Sequence, residues 1–213
     1  IMGALDQPFV DRVLGAMPDA PALVVLDGNL MTRVLQYACD VAASKGATLW
    51  FEPTSVEKAK VVGENPAILS RLTYMSPNED ELQAIYTAAT GNAACSLEEM
   101  GEHVLEMMCA DDGDDKYIIL TMGGEGVYLM RGQREAGRSH LAVTMHRMPA
   151  DQTDMVNCTG AGDTLVGTTV AALATGRFSI SESVQAGMRA ARLSVGSAHP
   201  VSDRITSDLL PMV

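Results

Sequence analysis

Val156-Asn157-Cys158-Thr159-Gly160-Ala161-Gly162-Asp163 runs directly into Thr164-Leu165-Val166-Gly167-Thr168-Thr169-Val170-Ala171-Ala172-Leu173. The second stretch, rich in Ala, Leu and Val, reads as a buried helix, and two glycines fall where the chain turns into it. A helix start leaves backbone N–H groups unpaired, and the helix dipole places partial positive charge there. Without Cβ atoms that backbone can come close to an anion, which makes the stretch a seat for a phosphate. Asp163 falls in the first turn. A carboxylate there can take a proton from an attacking hydroxyl while the N–H groups of Gly160, Ala161 and Gly162 hold a phosphoryl group. Taken alone, the same pattern also reads as a glycine turn with Asp163 capping the helix and no ligand.

Upstream, apolar runs and helical patterns alternate. Asp6 to Met17 predicts a short helix stopped by Pro18. Ala22 to Leu26 and Ala47 to Phe51 predict buried strands on either side of a helix from about Leu30 to Ser44, a strand–helix–strand unit that implies a parallel sheet. Ligands of such sheets collect at the C-terminal ends of the strands, where Asp27, Asn29 and Glu52 lie, so Asp27 and Asn29 join Asp163 as candidate substrate contacts. Asp27-Gly28-Asn29 also stands where a dinucleotide-binding fold would carry Gly-x-Gly-x-x-Gly, which speaks against that fold. Ser55 reads as a helix cap with Lys58 and Lys60 behind it, either a solvated turn or a reach towards phosphate.

A third strand, Leu72 to Met75, leads to Ser76-Pro77-Asn78-Glu79-Asp80-Glu81, where Asn78 and Glu81 share a face at a helix start. The plain reading of that pair is a capping arrangement. Ser96 to Cys109 predicts an amphipathic helix, and the run Asp111 to Asp115 an exposed acidic loop without the spacing of a calcium site. A strand from Lys116 to Thr121 enters the glycine-rich Met122-Gly123-Gly124-Glu125-Gly126-Val127, followed by a polar loop from Arg131 to Arg138 and an edge strand from Leu141 to Arg147. His140 and His146 lack partners at metal-ligand spacing. Gly176 ends the central helix, and a last long helix spans Ile180 to Ser197.

In this order, Asn78-x-x-Glu81, Thr121-x-Gly123-x-x-Gly126-Val127 and Thr159-Gly160-Ala161-Gly162-Asp163 resemble the signatures of the ribokinase-like (PfkB) family of sugar and nucleoside kinases. The family pattern at the last of these is Asp-Thr-x-Gly-Ala-Gly-Asp, and Asn157 and Cys158 replace its usual Asp-Thr. The resemblance implies a three-layer α/β fold, a mostly parallel sheet with helices on both faces, with ATP and Mg2+ as cofactors. It implies Asp163 as general base and Gly160, Ala161 and Gly162 as anion hole. Asn78 and Glu81 would organise water, Mg2+ and phosphate, while Thr121, Gly123 and Gly126 would lie along the nucleotide. Ser197 to Val201 would border the base, where the small residues of the last helix would allow close packing beside an adenine.

Phe51-Glu52-Pro53-Thr54-Ser55 and Asn157-Cys158-Thr159 look most like the pseudouridine kinase branch, which includes the kinase part of eukaryotic bifunctional pseudouridine-degrading proteins. That branch phosphorylates the 5′ hydroxyl of pseudouridine with MgATP; ribose and adenosine are the other acceptors the family suggests. The family's first Gly-Gly signature and a strand-rich lid are not found. Residues 1–213 are therefore expected to form one incomplete kinase domain, the nucleotide-binding and catalytic half, which either works or only binds nucleotide. Since the lid often mediates dimer contacts in the family, a homodimer belongs to the full-length protein.

Bulk properties agree with an ordinary α/β domain: 213 residues, 47% hydrophobic and 20% charged. A net charge of -12 argues against nonspecific binding to nucleic acid or anionic membrane, and 4% aromatics against a stacking platform for single strands. The four scattered cysteines, Cys39, Cys95, Cys109 and Cys158, form no CxxC pair and read as reduced, mostly buried thiols of a cytoplasmic protein. No apolar run is long enough to span a bilayer.

Overall fold

The computed structural model describes residues 5–19, 21–110, 114–134 and 141–210. The acidic run at 111–113, the loop segment 135–138 and His140 lie outside them. Six strands form one sheet in the order β1 (Leu23–Asp27), β2 (Thr48–Glu52), β3 (Tyr74–Met75), β4 (Lys116–Thr121), β5 (Val127–Arg134) and β6 (Leu141–Met148). The first four pair in parallel, with Asp27 opposite Glu52 at the C-terminal ends of β1 and β2. The reason is local: Leu-Val-Val-Leu-Asp and Thr-Leu-Trp-Phe-Glu lack the polar alternation of a strand with one wet face. No helix of the described residues is long and apolar enough to cross a membrane.

The chain divides into two compact units. The first comprises residues 1–120 and 128–146. It holds most of the sheet together with α1 (Gln7–Val10), α2 (Thr32–Ser44), α3 (Val56–Gly63), α4 (Pro66–Leu69), α5 (Glu79–Thr90) and α6 (Leu97–Met108). Its core is built from Leu35, Leu49, Trp50, Phe51, Met75 and Ile85, all essentially inaccessible. The second comprises residues 121–127 and 147–213, where α7 (Ala161–Ala174) packs along α8 (Ile180–Val195).

Several expectations are corrected here. The N-terminal helix is only one α-turn, continued by a π-turn over Asp11–Gly15. The polar loop expected from Arg131 begins later, because β5 continues to Arg134. Arg131 is held in the strand by Asp115, at 2.7 Å, and Gly132 packs where a Cβ would lie 3.2 Å from Leu105. Ser55 occupies the N-cap of α3 without making a side-chain capping bond. Of the four cysteines only Cys39 and Cys109 are buried, while Cys95 and Cys158 are exposed. Gly187 in α8 packs against α7, where a Cβ on it would lie 2.6 Å from the Leu165 carbonyl oxygen.

Candidate active site

Within the second unit the glycine turn takes the shape its composition demands. Gly160 is the N-cap of α7 with φ 79°, a left-handed conformation in which a side chain is strained. No side chain caps this helix, whereas α5, α6 and α8 each begin with a complete capping box. The Ala161 N–H, the first of α7, bonds the Cys158 carbonyl at 3.3 Å, and no side chain takes the N–H groups that follow it. Asn157 shapes the approach, its Oδ1 accepting a bond from the Thr159 N–H at 2.9 Å. Asp163 stands exposed in the first turn, and a Cβ added at Gly162 would meet nothing within 4 Å.

Two further segments lie in the same unit. Thr121 leads into a short 3-10 turn, Gly123–Glu125, closed by the Met122 N–H on the Gly126 carbonyl at 2.9 Å. Gly126 has φ 106°, and a Cβ there would collide with the Met148 carbonyl oxygen, so only glycine fits. After α8, Ser197 to Val201 forms a loop that the structure brings against the glycine turn: a Cβ on Gly160 would lie 2.5 Å from the Pro200 carbonyl oxygen. The backbone N–H groups of Val156 and Asn157 both bond to the Val195 carbonyl, at 2.9 and 3.1 Å, tying the approach segment to the end of α8. Val201 is 58% exposed and Val156 61%, leaving apolar surface beside the loop.

Within the first unit the strand ends carry two hydrogen-bonded chains. Asp27 accepts from the Asn29 N–H at 3.0 Å and the Asn29 side-chain amide at 2.8 Å, and Asn29 Oδ1 accepts from the Lys58 ammonium. Lys58 therefore sits at the strand ends, while Lys60 pairs with Glu57 on the exposed face of α3. In the second chain the Trp50 indole donates to Ser76 Oγ at 2.8 Å, and the Ser76 hydroxyl donates to Glu52 Oε2 at 2.5 Å. The loop between β2 and α3 is shaped by Thr54, a non-glycine residue at φ 65°, and Gly28 lies against it, since a Cβ there would collide with the Pro53 carbonyl oxygen.

Asn78 and Glu81 form the capping box of α5, the Asn78 N–H bonding Glu81 Oε2 and the Glu81 N–H bonding Asn78 Oδ1, both at 2.9 Å. Burial raises the Glu81 pKa above its ordinary value; the Asn78 N–H pulls it back and the nearby Asp80 charge pushes it further up. The plain capping reading is thus real geometry, and it leaves the second carboxylate oxygen of Glu81 for another partner. Among the described residues no three His, Cys, Asp or Glu side chains converge as a cage for a metal.

Sequence reasoning placed the glycine turns and the acidic pair, but not the Trp50–Ser76–Glu52 chain. Ser76 lies more than twenty residues from Trp50 and Glu52, and no local pattern announces the link.

The sequence profile of the pfkB family carbohydrate kinase matches residues 18–206. Among curated proteins, the pseudouridine kinase of Arabidopsis thaliana is 27% identical over 88% of this chain and 60% of its own length. Among solved structures, a ribokinase of Thermotoga maritima superposes with a TM-score of 0.70 at 22% identity, covering 97% of this chain and 58% of that one. An Arabidopsis thaliana ribokinase complexed with ribose and ATP gives a TM-score of 0.65 at 18% identity, over 93% of this chain and 57% of that one. The fold is accordingly the α/β fold of ribokinases, and the chain spans less than two thirds of these relatives.

Proposed function

The chain belongs to the pfkB family of carbohydrate kinases, and from that premise we propose that it carries the nucleotide-binding and catalytic half of an enzyme that phosphorylates a sugar or nucleoside hydroxyl with ATP. The observation that carries this reading is the N-terminus of α7, left without a side-chain cap and bearing Asp163 in its first turn. Pseudouridine is the acceptor we favour, on the strength of the Arabidopsis relative and of Glu52-Pro53-Thr54 after β2.

Each residue then has a task. Asp163 accepts the proton of the acceptor hydroxyl as its oxygen bonds to the γ-phosphorus and the bond from that phosphorus to ADP breaks. The N–H groups of Gly160, Ala161 and Gly162 bind the transferring phosphoryl oxygens. Thr121, Gly123 and Gly126 hold the nucleotide along its phosphates and ribose, and Ser197 and Val201 border its base. Mg2+ supplies charge neutralisation to the phosphates. It needs few protein ligands because it keeps waters and phosphate oxygens, so the buried Glu81 with Asn78, acting through water, fits the task without a cage. Asp27 and Asn29, at the strand ends, would contact the acceptor, in a cytoplasmic enzyme.

The test is ADP release from MgATP with pseudouridine, ribose or adenosine, run on the full-length enzyme with and without Asp163→Asn. Loss of turnover with MgATP binding retained supports the assignment, and unchanged turnover rejects it. Calorimetry of this chain with MgATP tests the lesser reading, a nucleotide-binding module without activity of its own.

A further inference from the structure

A line of buried hydroxyls joins the glycine turn to the loop after α8. The Thr164 hydroxyl donates to the Gly160 carbonyl at 2.7 Å. Thr164 Oγ1 also lies 3.1 Å from Ser194 Oγ, and the Ser202 N–H donates to Ser194 Oγ at 3.2 Å. Thr164 is 6% exposed, Ser194 0% and Ser202 4%. A hydroxyl has one hydrogen. Thr164 spends its own on Gly160, so Ser194 must donate to Thr164, and its lone pairs receive the Ser202 amide. The order is therefore fixed in one direction: Ser202 N–H to Ser194, Ser194 O–H to Thr164, Thr164 O–H to the Gly160 carbonyl. Bonds arranged head to tail in a dry interior polarise one another.

Thr169, on the same helix and equally buried, shows the simpler alternative, donating to the Leu165 carbonyl one turn back at 2.7 Å. Thr164 does the same with Gly160 and in addition receives Ser194 from the neighbouring helix. The line ends at Gly160 and at Ser202, two residues beyond Pro200, whose carbonyl oxygen Gly160 approaches.

We propose that Thr164 and Ser194 are positioning residues that set the glycine turn at a fixed offset from the 197–202 loop, so that the phosphates and the base of one nucleotide are met together. The proposal rests on the nucleotide site described above. Neither side chain need touch the ligand; both act through Gly160 and Ser202.

The experiment uses this chain, its Thr164→Val and Ser194→Ala variants, and Thr164→Ser as the conservative control. Two measurements are made: amide hydrogen exchange without ligand, and calorimetric affinities for MgADP and for magnesium tripolyphosphate, which lacks the base. Thr164→Val is expected to speed exchange of the Ser202 amide, two hydrogen bonds along the line, by up to about tenfold. Both variants are expected to lower MgADP affinity by up to about tenfold relative to tripolyphosphate, with the double variant no worse than the single ones and Thr164→Ser restoring wild-type values. Equal losses for both ligands would mean general loosening and would overturn the positioning role, as would a Ser202 amide indifferent to Thr164→Val. Should Thr164→Val fail to fold, Ser194→Ala alone decides through the affinity ratio. A wild-type chain that binds neither ligand rejects the nucleotide site, and the ligand-free exchange then still decides whether the line transmits from Thr164 to Ser202.

Discussion

Gly160 and Pro200 stand so close that a Cβ on the glycine would lie 2.5 Å from the proline carbonyl oxygen, and Gly160 is also held at φ 79°. Two glycines of one turn therefore differ in kind. Gly160→Ala meets both backbone strain and collision, and should destabilise the protein by at least about 1 kcal/mol. Gly162→Ala meets open space inside a helix, so its stability should be unchanged or raised by up to about 1 kcal/mol. Its added methyl lies in the first turn of α7, beside the proposed phosphate seat, and MgATP affinity should fall. Thermal unfolding beside calorimetry separates the two; equal losses of stability would contradict the geometry.

Glu81 is a buried carboxyl whose pKa lies above the ordinary 4.5. A raised pKa in the folded state means that the protonated form suits the fold better, so its contribution to stability is complete below 4.5 and is lost as pH rises through the raised value. Glutamine keeps the capping box and carries no charge. Wild type minus Glu81→Gln unfolding free energy should therefore decline from acid towards neutral pH. Loss of turnover in this variant at retained stability would assign Glu81 to the metal as well as to the cap.

Glu99 and Glu182 titrate the other way. Hydrogen bonds from Ser96 and from Ser179 hold their carboxyls below the ordinary range. The stability these two caps contribute is present above the ordinary 4.5 and lost as pH falls through the lowered values. Fraying of the first turns of α6 and α8 on acidification, followed by amide exchange, should disappear in Glu99→Gln and Glu182→Gln, whose caps do not titrate.

The thiols divide by exposure. Cys95 and Cys158 are open, whereas burial pushes the Cys39 thiol up to about 12. A thiol reagent at neutral pH should modify two cysteines rapidly and leave Cys39 and Cys109 until the protein unfolds. Cys158 lies two residues before Gly160, so bound MgATP should slow its modification if the turn holds the phosphates. Equal rates with and without nucleotide would count against that site.

Elements whose conformation is dictated by neighbouring residues were legible in advance. Unbroken apolar runs marked β1, β2 and β4; β2 and β4 are buried along most of their length, while β1 leaves Val25 43% exposed. Glycines marked the turns at 126 and 160, because no other residue fits there. Asn78 and Glu81 announced a helix start by their spacing. What stayed hidden depends on partners distant in the chain. Arg131 reads as a loop residue until Asp115 is seen to hold it in β5, and Ser76, Thr164 and Ser194 are ordinary hydroxyls until they meet across 26 or 30 residues. The exposure of Cys158 follows from the path of the 155–158 segment over the end of α8, which no residue within that segment prescribes.

Trp50 is the only tryptophan in the chain, and its indole N–H is bound to Ser76, which is bound in turn to Glu52. Indole emission responds to the polarity and hydrogen bonding of that nitrogen. The protein thus carries its own optical probe, two hydrogen bonds from a carboxylate at the strand ends. Any ligand that draws on Glu52 should register as a change in intrinsic fluorescence without label or coupled assay, and Ser76→Ala should silence it.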